Sequence, residues 1–302
     1  MSIVVIGSSN TDLVVNVPHI PLEGETVLGN HFSIHKGGKG ANQAVAAARL
    51  GAAVSFIACI GQDDFGTTAI NSYQQEGIDT THIYREGKTS GVALITVTNQ
   101  GNNAISVAPE SNSLLSNMHI DQISNLLNSS EIILTQMEIP IKTIEYLIDK
   151  AKNTQAKLIV NPAPAIALNE GLYQYIDIIT PNESEAELLT GIKVTDELSA
   201  FQASKIFRQM GVKEVIITLG AKGAYLYNDH HQKLVTGFNV NAVDATAAGD
   251  TFNGALAYAI TQGQTTLEAT QFANAASALA VTRPGAQRST PKLEEVKAFM
   301  RS

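Results

Sequence analysis

Short apolar, β-branched runs alternate with helical patterns along this chain, and no other feature restricts its fold as much. The runs are Ile3–Ile6, Val54–Ala58, Ile132–Leu134, Leu158–Val160, Ile176–Thr180 and Val215–Thr218. They carry little polar alternation, as strands buried on both faces do. Between them the spacing predicts helices over Ala41–Leu50, Phe65–Gln75, Ile141–Lys152, Glu183–Thr190 and Ala200–Met210. Gly51, Gly191 and Gly211 each follow one of these, where a left-handed residue closes a helix. Alternating units of this kind predict an α/β fold with a parallel sheet covered by helices. The last third changes character: a hairpin over Ala224–Tyr227 and Lys233–Thr236, then helices over Thr251–Gln262, Thr266–Thr282 and Lys292–Met300.

Two stretches break the rhythm. Leu13–Phe32 and Val92–Ala108 alternate apolar and polar residues, as half-exposed antiparallel strands do. The turn Asn99-Gln100-Gly101-Asn102 suits a hairpin. These stretches are expected to form a small β-sheet lid over 13–32 and 92–108, projecting from a core made of 1–12, 33–91 and 109–302.

Composition narrows the partners. Against 28 acidic residues stand 20 Lys and Arg, a net charge of −8 over 302 residues. An acidic surface argues against nucleic acid and anionic membrane as partners. It leaves room for a small anion held by local N–H groups and a metal ion. Cys59 is the only cysteine, so no intrachain disulfide and no Cys-based zinc cluster is expected. The amino-terminal residues lack a basic, apolar leader pattern, and no apolar run reaches the length of a membrane span. A soluble cytoplasmic protein is the expectation.

In parallel α/β sheets, ligands bind beyond the carboxyl ends of the strands. Asn10, Asp12, Glu138, Asn161, Asn182, Glu185 and Gly220 all follow predicted strands and are expected on one edge. Small residues lead into a helix at Ala247-Ala248-Gly249-Asp250. The amides of these four would be unpaired donors aimed at an anion. Asp250 beside them could take a proton from an attacking hydroxyl, or merely complement the helix dipole.

Lys36-Gly37-Gly38-Lys39-Gly40-Ala41-Asn42-Gln43 also opens a helix. Its paired glycines allow close approach by a ligand, and Lys39 and Asn42 offer donors to hydroxyls. It is not a Walker A loop, because Gly40 stands where Ser or Thr must follow the lysine. Asn182 and Glu185 have capping-box spacing. The alternative makes Glu185 the partner of a Mg²⁺-bound water and Asn182 a phosphate contact. Thr218-Leu219-Gly220-Ala221-Lys222-Gly223 is either a nucleotide-facing segment or a plain turn before the hairpin.

Together these motifs resemble the ribokinase branch of the PfkB family of sugar kinases. The ordered matches are Gly7-x-x-Asn10-x-Asp12, GGKGAN at Gly37–Asn42, Glu138 in QMEIP, NPAP at Asn161–Pro164, TPNESEAE at Thr180–Glu187, TLGAKG at Thr218–Gly223, AAGDTFNG at Ala247–Gly254 and VTRPGAQRS at Val281–Ser289. They span nearly the whole chain.

The resemblance implies a doubly wound α/β domain whose β lid closes over a sugar and pairs two subunits as a homodimer. It implies ATP-dependent phosphorylation of D-ribose at O5. Asn10, Asp12, Gly38, Lys39, Gly40, Ala41, Asn42 and Glu138 match its sugar-binding positions. Asn182, Glu185, Thr218 to Gly223, Gly249 and Asn274 match its nucleotide contacts. Ala247 to Asp250 match its anion hole, with Asp250 as base. Asp244, Thr246, Ala280, Arg283, Gly285 and Ser289 match a site for an activating monovalent cation, K⁺, beside Mg²⁺ with the ATP. The chain departs from the family pattern at Ala245, where Thr is usual, and over Ala108–Asn112, where a Gly-Ala-Asn run is usual. The alternatives are a sister kinase for deoxyribose, another sugar or a nucleoside, and a non-catalytic sugar-binding regulator.

Overall fold

The structure, a computed structural model, describes residues 2–98 and 100–301. The strands are β1 (Ser2–Ile6), β2 (Asn10–Val17), β3 (His31–Gly37), β4 (Ala53–Ile60), β5 (Ile83–Arg85), β6 (Gly91–Thr98), β7 (Asn103–Ala108), β8 (Ile132–Thr135), β9 (Lys157–Val160), β10 (Ile178–Ile179), β11 (Glu214–Thr218), β12 (Gly223–Tyr227) and β13 (Gln232–Thr236). The helices are α1 (Lys39–Arg49), α2 (Asp64–Gln75), α3 (Asn117–Gln122), α4 (Ser124–Ser129), α5 (Ile141–Ala151), α6 (Glu183–Thr190), α7 (Glu197–Gln209), α8 (Ala248–Thr261), α9 (Thr266–Ala280), α10 (Ala286–Ser289) and α11 (Leu293–Phe299).

Nine strands form one sheet in the order β13-β12-β11-β10-β9-β8-β1-β4-β5. All neighbours pair parallel except the β11–β12 and β12–β13 hairpins. Alternate residues of each strand feed opposite sides. Ile3, Val5, Phe56 and Leu134 enter one hydrophobic cluster, and Val4, Ile6, Ile57 and Ile133 enter the other. A sheet covered on both faces needs both sets apolar, which is why the runs lack alternation. The chain winds outward from β1 to β4 and β5, then returns to β8 and winds the other way. This reversal opens a crevice between the carboxyl ends of β1 and β8. The expected β10 over Ile176–Thr180 shrinks to Ile178–Ile179. Asp177 lies outside the regular strand but still bonds to both neighbours, donating its N–H to Leu158 O at 3.1 Å and accepting Glu214 N–H at 2.8 Å, while its Oδ2 accepts the Leu158 N–H at 2.7 Å.

A separate four-stranded sheet has the order β3-β2-β6-β7. It corrects two expectations. Its central pair, β2 and β6, is parallel, with only the flanking pairs antiparallel. Its first two strands are Asn10–Val17 and His31–Gly37, so regular pairing begins before Leu13 and stretches past Phe32. Asn10 pairs with Gly37 and Asp12 with His35, which seats polar motif residues inside strands rather than in loops. Asn99 of the expected hairpin turn lies outside the described residues; Gly101 takes φ 85° and its N–H donates to Thr98 O at 2.9 Å.

Gly254 makes α1 and α8 meet. A Cβ there would lie 2.6 Å from both the Ala46 Cβ and the Gln43 carbonyl oxygen. The close crossing carries the start of α1 to the start of α8, where the functional residues gather.

Candidate active site

The site lies over the crevice between β1 and β8. Ala41 N–H donates to Ser8 O at 2.9 Å, so α1 begins directly on the loop after β1. Gly40 permits this, since a Cβ would fall 2.6 Å from Ser8 N. Gly40 also donates its N–H to Ser8 Oγ at 3.4 Å. The amides of Gly40 and Ala41 are thus spent on the protein itself. The paired glycines are approached in the same way, which changes the expectation that they make room for a ligand. Gly38 has φ 89°, and a Cβ on it would lie 2.7 Å from Asn10 N; one on Gly37 would strike the Asp12 carboxylate.

Asp250 occupies the first turn of α8 and is buried. Asn42 Nδ2 donates to its Oδ2 at 2.9 Å, and Gln43 Nε2 donates to its Oδ1 at 3.1 Å. Ala247 holds a left-handed conformation, φ 58°, that swings the chain into the helix. Ala248 departs from expectation: its N–H closes a turn onto Ala245 O at 3.2 Å rather than standing free. Gly249 and Asp250 follow it in the first turn, where helix amides have no intrahelical acceptor.

Lys39 brings a partly buried cation beside the acids. Burial alone would pull its pKa down; Asp250, Glu138 and Glu185 around it outweigh that and hold it above the usual lysine range. Glu138 accepts the Lys39 N–H at 3.0 Å and the Ser8 hydroxyl at 2.5 Å. Asp12 faces Glu138 and Asp250. Burial first, then those two charges, push its carboxyl up to about 6.

Asn182 and Glu185 form the expected capping box at the start of α6. Asn182 Oδ1 accepts Glu185 N–H at 2.8 Å, and Glu185 Oε2 accepts Asn182 N–H at 2.9 Å. The cap leaves Glu185 facing the cavity, and burial raises its pKa against the lowering effects of the Asn182 amide and Lys39. A cavity of about 210 Å³ is walled by Lys39, Asn182, Glu185, Thr218 and the Ala247–Asp250 turn. Leu219 is buried behind it, and Gly220–Lys222 form a short 3₁₀ turn. Lys222 reaches away to Thr195 O at 2.9 Å, and Gly223 starts β12.

Some expected residues stand apart from this cavity. Asn274, on α9, donates Nδ2–H to Val235 O at 2.9 Å and Thr236 O at 3.4 Å, tying α9 to the β12–β13 hairpin. Asp244 folds the preceding loop: its Oδ1 accepts Thr246 N–H at 2.9 Å and its Oδ2 accepts Gly285 N–H at 2.7 Å. Ala280 O accepts Arg283 N–H at 3.1 Å, and Ser289 Oγ donates to Ala286 O at 2.8 Å. The Arg283 side chain pairs with Glu295 at 2.5 Å. Asp244 thus ties its loop to the 281–285 turn, where its N–H also donates to Val281 O at 3.1 Å.

Sequence reasoning missed three supports. Asn112 accepts Ser9 N–H at 2.9 Å and donates to Asn10 Oδ1 at 2.7 Å, fixing the Asn10 side chain. It ends the Ala108–Asn112 segment, where the family pattern also carries Asn. Asn161, directly after β9, lies on the expected edge and walls the cavity. Gln43 and Gln136 are fully buried amides within the Lys36–Gln43 and QMEIP segments, where only their neighbours carry an expected role.

The profile of the pfkB family carbohydrate kinases matches residues 1–293. The chain belongs to the pfkB family of carbohydrate kinases. Among relatives of this pfkB-family kinase is a ribokinase of Haemophilus influenzae, 46% identical over 300 residues, covering 99% of this chain and 98% of the relative. A ribokinase structure from Thermotoga maritima superimposes with TM-score 0.91 at 42% identity, covering 99% of each chain. A structure of Arabidopsis thaliana ribokinase complexed with ribose and ATP superimposes with TM-score 0.90 at 29% identity, covering 99% of this chain and 98% of that one. Among the described residues, no helix is long and apolar enough to cross a membrane.

Proposed function

We propose that this kinase phosphorylates D-ribose at its 5-hydroxyl with ATP, giving ribose 5-phosphate and ADP in the cytoplasm. The observation that carries the reading is the buried Asp250 carboxylate, clamped by two amides at the start of α8 and facing a cavity that also holds Lys39 and Glu185. Ribose as the acceptor is supported by the ribokinases to which the chain is similar.

The sugar binds through Asn10, Asp12, Lys39, Asn42 and Glu138. The nucleotide lies along Asn182, Thr218–Gly223 and the Asn274 side of the hairpin. Asp250 takes the hydroxyl proton while the sugar oxygen bonds to the γ-phosphorus. The bond from that phosphorus to the bridging oxygen breaks, and its electron pair leaves with ADP. Lys39 and the first-turn amides of Gly249 and Asp250 offset the charge that builds on the transferred group, which is where phosphoryl transfer gains most. Glu185, a cavity carboxylate without a cationic hydrogen-bond partner among the described residues, fits the water shell of a Mg²⁺ ion. That ion supplies charge neutralisation on the phosphates when bound. Asp244, Thr246, Ala280, Arg283, Gly285 and Ser289 are the residues that would hold a K⁺ ion, which would add a further tie between the 244–246 loop and the 280–289 segment.

A panel of ribose, deoxyribose, fructose and nucleosides, assayed by coupled ADP detection in K⁺ and in Na⁺ buffer, tests these points together. Ribose is expected to be preferred, and K⁺ to give the higher rate at equal ionic strength. Equal turnover of ribose and deoxyribose would overturn the substrate, and equal rates in the two salts would remove the cation site.

Asp12 sets a pH dependence. A carboxylate accepts hydrogen bonds from sugar hydroxyls, whereas its protonated form has one oxygen fewer to offer. The KM for ribose is therefore expected to rise as pH falls below about 6. Stability runs the opposite way, because the folded pKa is raised. The contribution of the Asp12 proton is complete below the ordinary 3.8 and is lost as pH rises through about 6. A lift from 3.8 to about 6 corresponds to roughly 3 kcal/mol. Asp12→Asn is expected to raise the melting temperature at pH 8 while weakening ribose binding; a lowered melting temperature would contradict this.

The four-stranded sheet serves as the lid, and as the contact of a homodimer. Leu13 is in register with Ile34 and Leu94, and the latter two are 50% and 56% exposed. An apolar row on an open sheet gains by docking. Sedimentation should give a dimer, and Leu94→Lys a monomer; a monomeric parent protein would exclude the lid contact.

A further inference from the structure

The hydrogen bonds behind Asp250 have a direction. The Thr180 carbonyl can only accept, and it takes Nδ2–H of Asn161 at 3.0 Å. Asn161 therefore turns Oδ1 toward Gln43, whose Nε2 donates to it at 3.1 Å. The other hydrogen of the same Nε2 goes to Asp250 Oδ1, also at 3.1 Å. Gln43 Oε1 must then point the opposite way, where Gln136 Nε2 donates to it at 2.7 Å. A flipped Gln43 would set its oxygen against both a carboxylate and an amide oxygen. Gln43 and Gln136 are fully buried, while Asn161 and Asp250 border the cavity.

Gly7 belongs to the same device. A Cβ at Gly7 would lie 2.0 Å from Gln136 Oε1, so only glycine leaves the slot that Gln136 fills. That oxygen has no hydrogen-bond partner among the described residues, a cost accepted while its Nε2 stays on Gln43. Neither glutamine lines the cavity. Asn42, the other amide on Asp250, is wanted by the sugar, whereas Gln43 has no competing duty.

We propose that Gln43, held in one orientation by Gln136, is a positioning residue that fixes the rotation of the Asp250 carboxylate for proton transfer. This rests on Asp250 being the base. Misplacing a reacting group is costly: a shift of about 1 Å can cost ~10²-fold in rate.

The test compares Gln43→Met, Gln136→Met and the double variant with the parent enzyme and Asp250→Asn. Each is measured for kcat, for KM of ribose and of ATP, and for thermal unfolding. Methionine keeps the volume and the packing but cannot donate, so a glutamine that merely fills space would be replaced without loss of turnover. Gln43→Met is expected to lower kcat by about 10- to 100-fold and Gln136→Met by about 10-fold, with both KM values near the parent's. The double variant should be no slower than Gln43→Met, because Gln136 acts only through Gln43. Unchanged kcat, a loss confined to KM, or additive losses would overturn the proposal. Should Gln43→Met fail to fold, Gln136→Met decides alone. An inactive Asp250→Asn beside a fully active Gln43→Met would remove only the positioning role. An active Asp250→Asn would remove the base itself.

Discussion

Asp250→Asn should leave a folded protein that still binds sugar and nucleotide but turns over about 10²–10⁴-fold more slowly, the usual worth of general-base assistance. The loss should fall on kcat, since the amide keeps the size of the side chain but cannot accept the hydroxyl proton. A second consequence follows from its two donors. Both carboxylate oxygens accept N–H groups, from Asn42 and Gln43. An amide at this position must turn its NH₂ toward one of them, which costs about 1–3 kcal/mol of stability for the unmatched pair. Steady-state kinetics with calorimetric ribose binding and a melting curve check all three parts. Near-parent turnover would sink the base assignment.

Lys39→Met should be nearly as damaging, for an electrostatic reason. Lys39 is the partly buried cation among Asp250, Glu138 and Glu185. Without it Asp250 and Glu185 share one cavity with an incoming polyphosphate, with Glu138 close by. Loss of one such stabilising group costs ~10²–10³ in kcat. The Glu185 carboxyl, already raised by burial, should climb further, since Lys39 is one of the influences holding it down. Activity would then fall away at a higher pH on the acid side than in the parent. Kinetics over a pH series would detect this, and an unshifted acid limb with normal kcat would contradict it.

The positions of the site residues were legible because they depend on local pattern. Asp250, Lys39, Asn42, Asn182 and Glu185 each sit at a helix start that small or capping residues announce. The capping box at Asn182 and Glu185 and the cavity wall turned out to be compatible, since the cap holds only one face of Glu185. The extent of the lid sheet was not legible. Asn10, Gly37 and Gly91 have poor strand propensity, and only their pairing partners make them strand residues. The roles of Gln43 and Gln136 were equally hidden. Gln43 lies 207 positions from Asp250 and 93 from Gln136, so no spacing rule connects them.

By itself the sequence determined the α/β class, the edge on which function gathers and the chemical types present there. Burial patterning and helix starts are short-range properties, written within a few residues. Tertiary structure alone decided which donors grip Asp250, which way each buried amide faces, and that Asp12 is pushed toward neutrality. Those outcomes depend on distances of about 3 Å between segments remote in sequence, at the length scale where hydrogen bonds form or fail. The close crossing of α1 and α8 at Gly254 sets those distances.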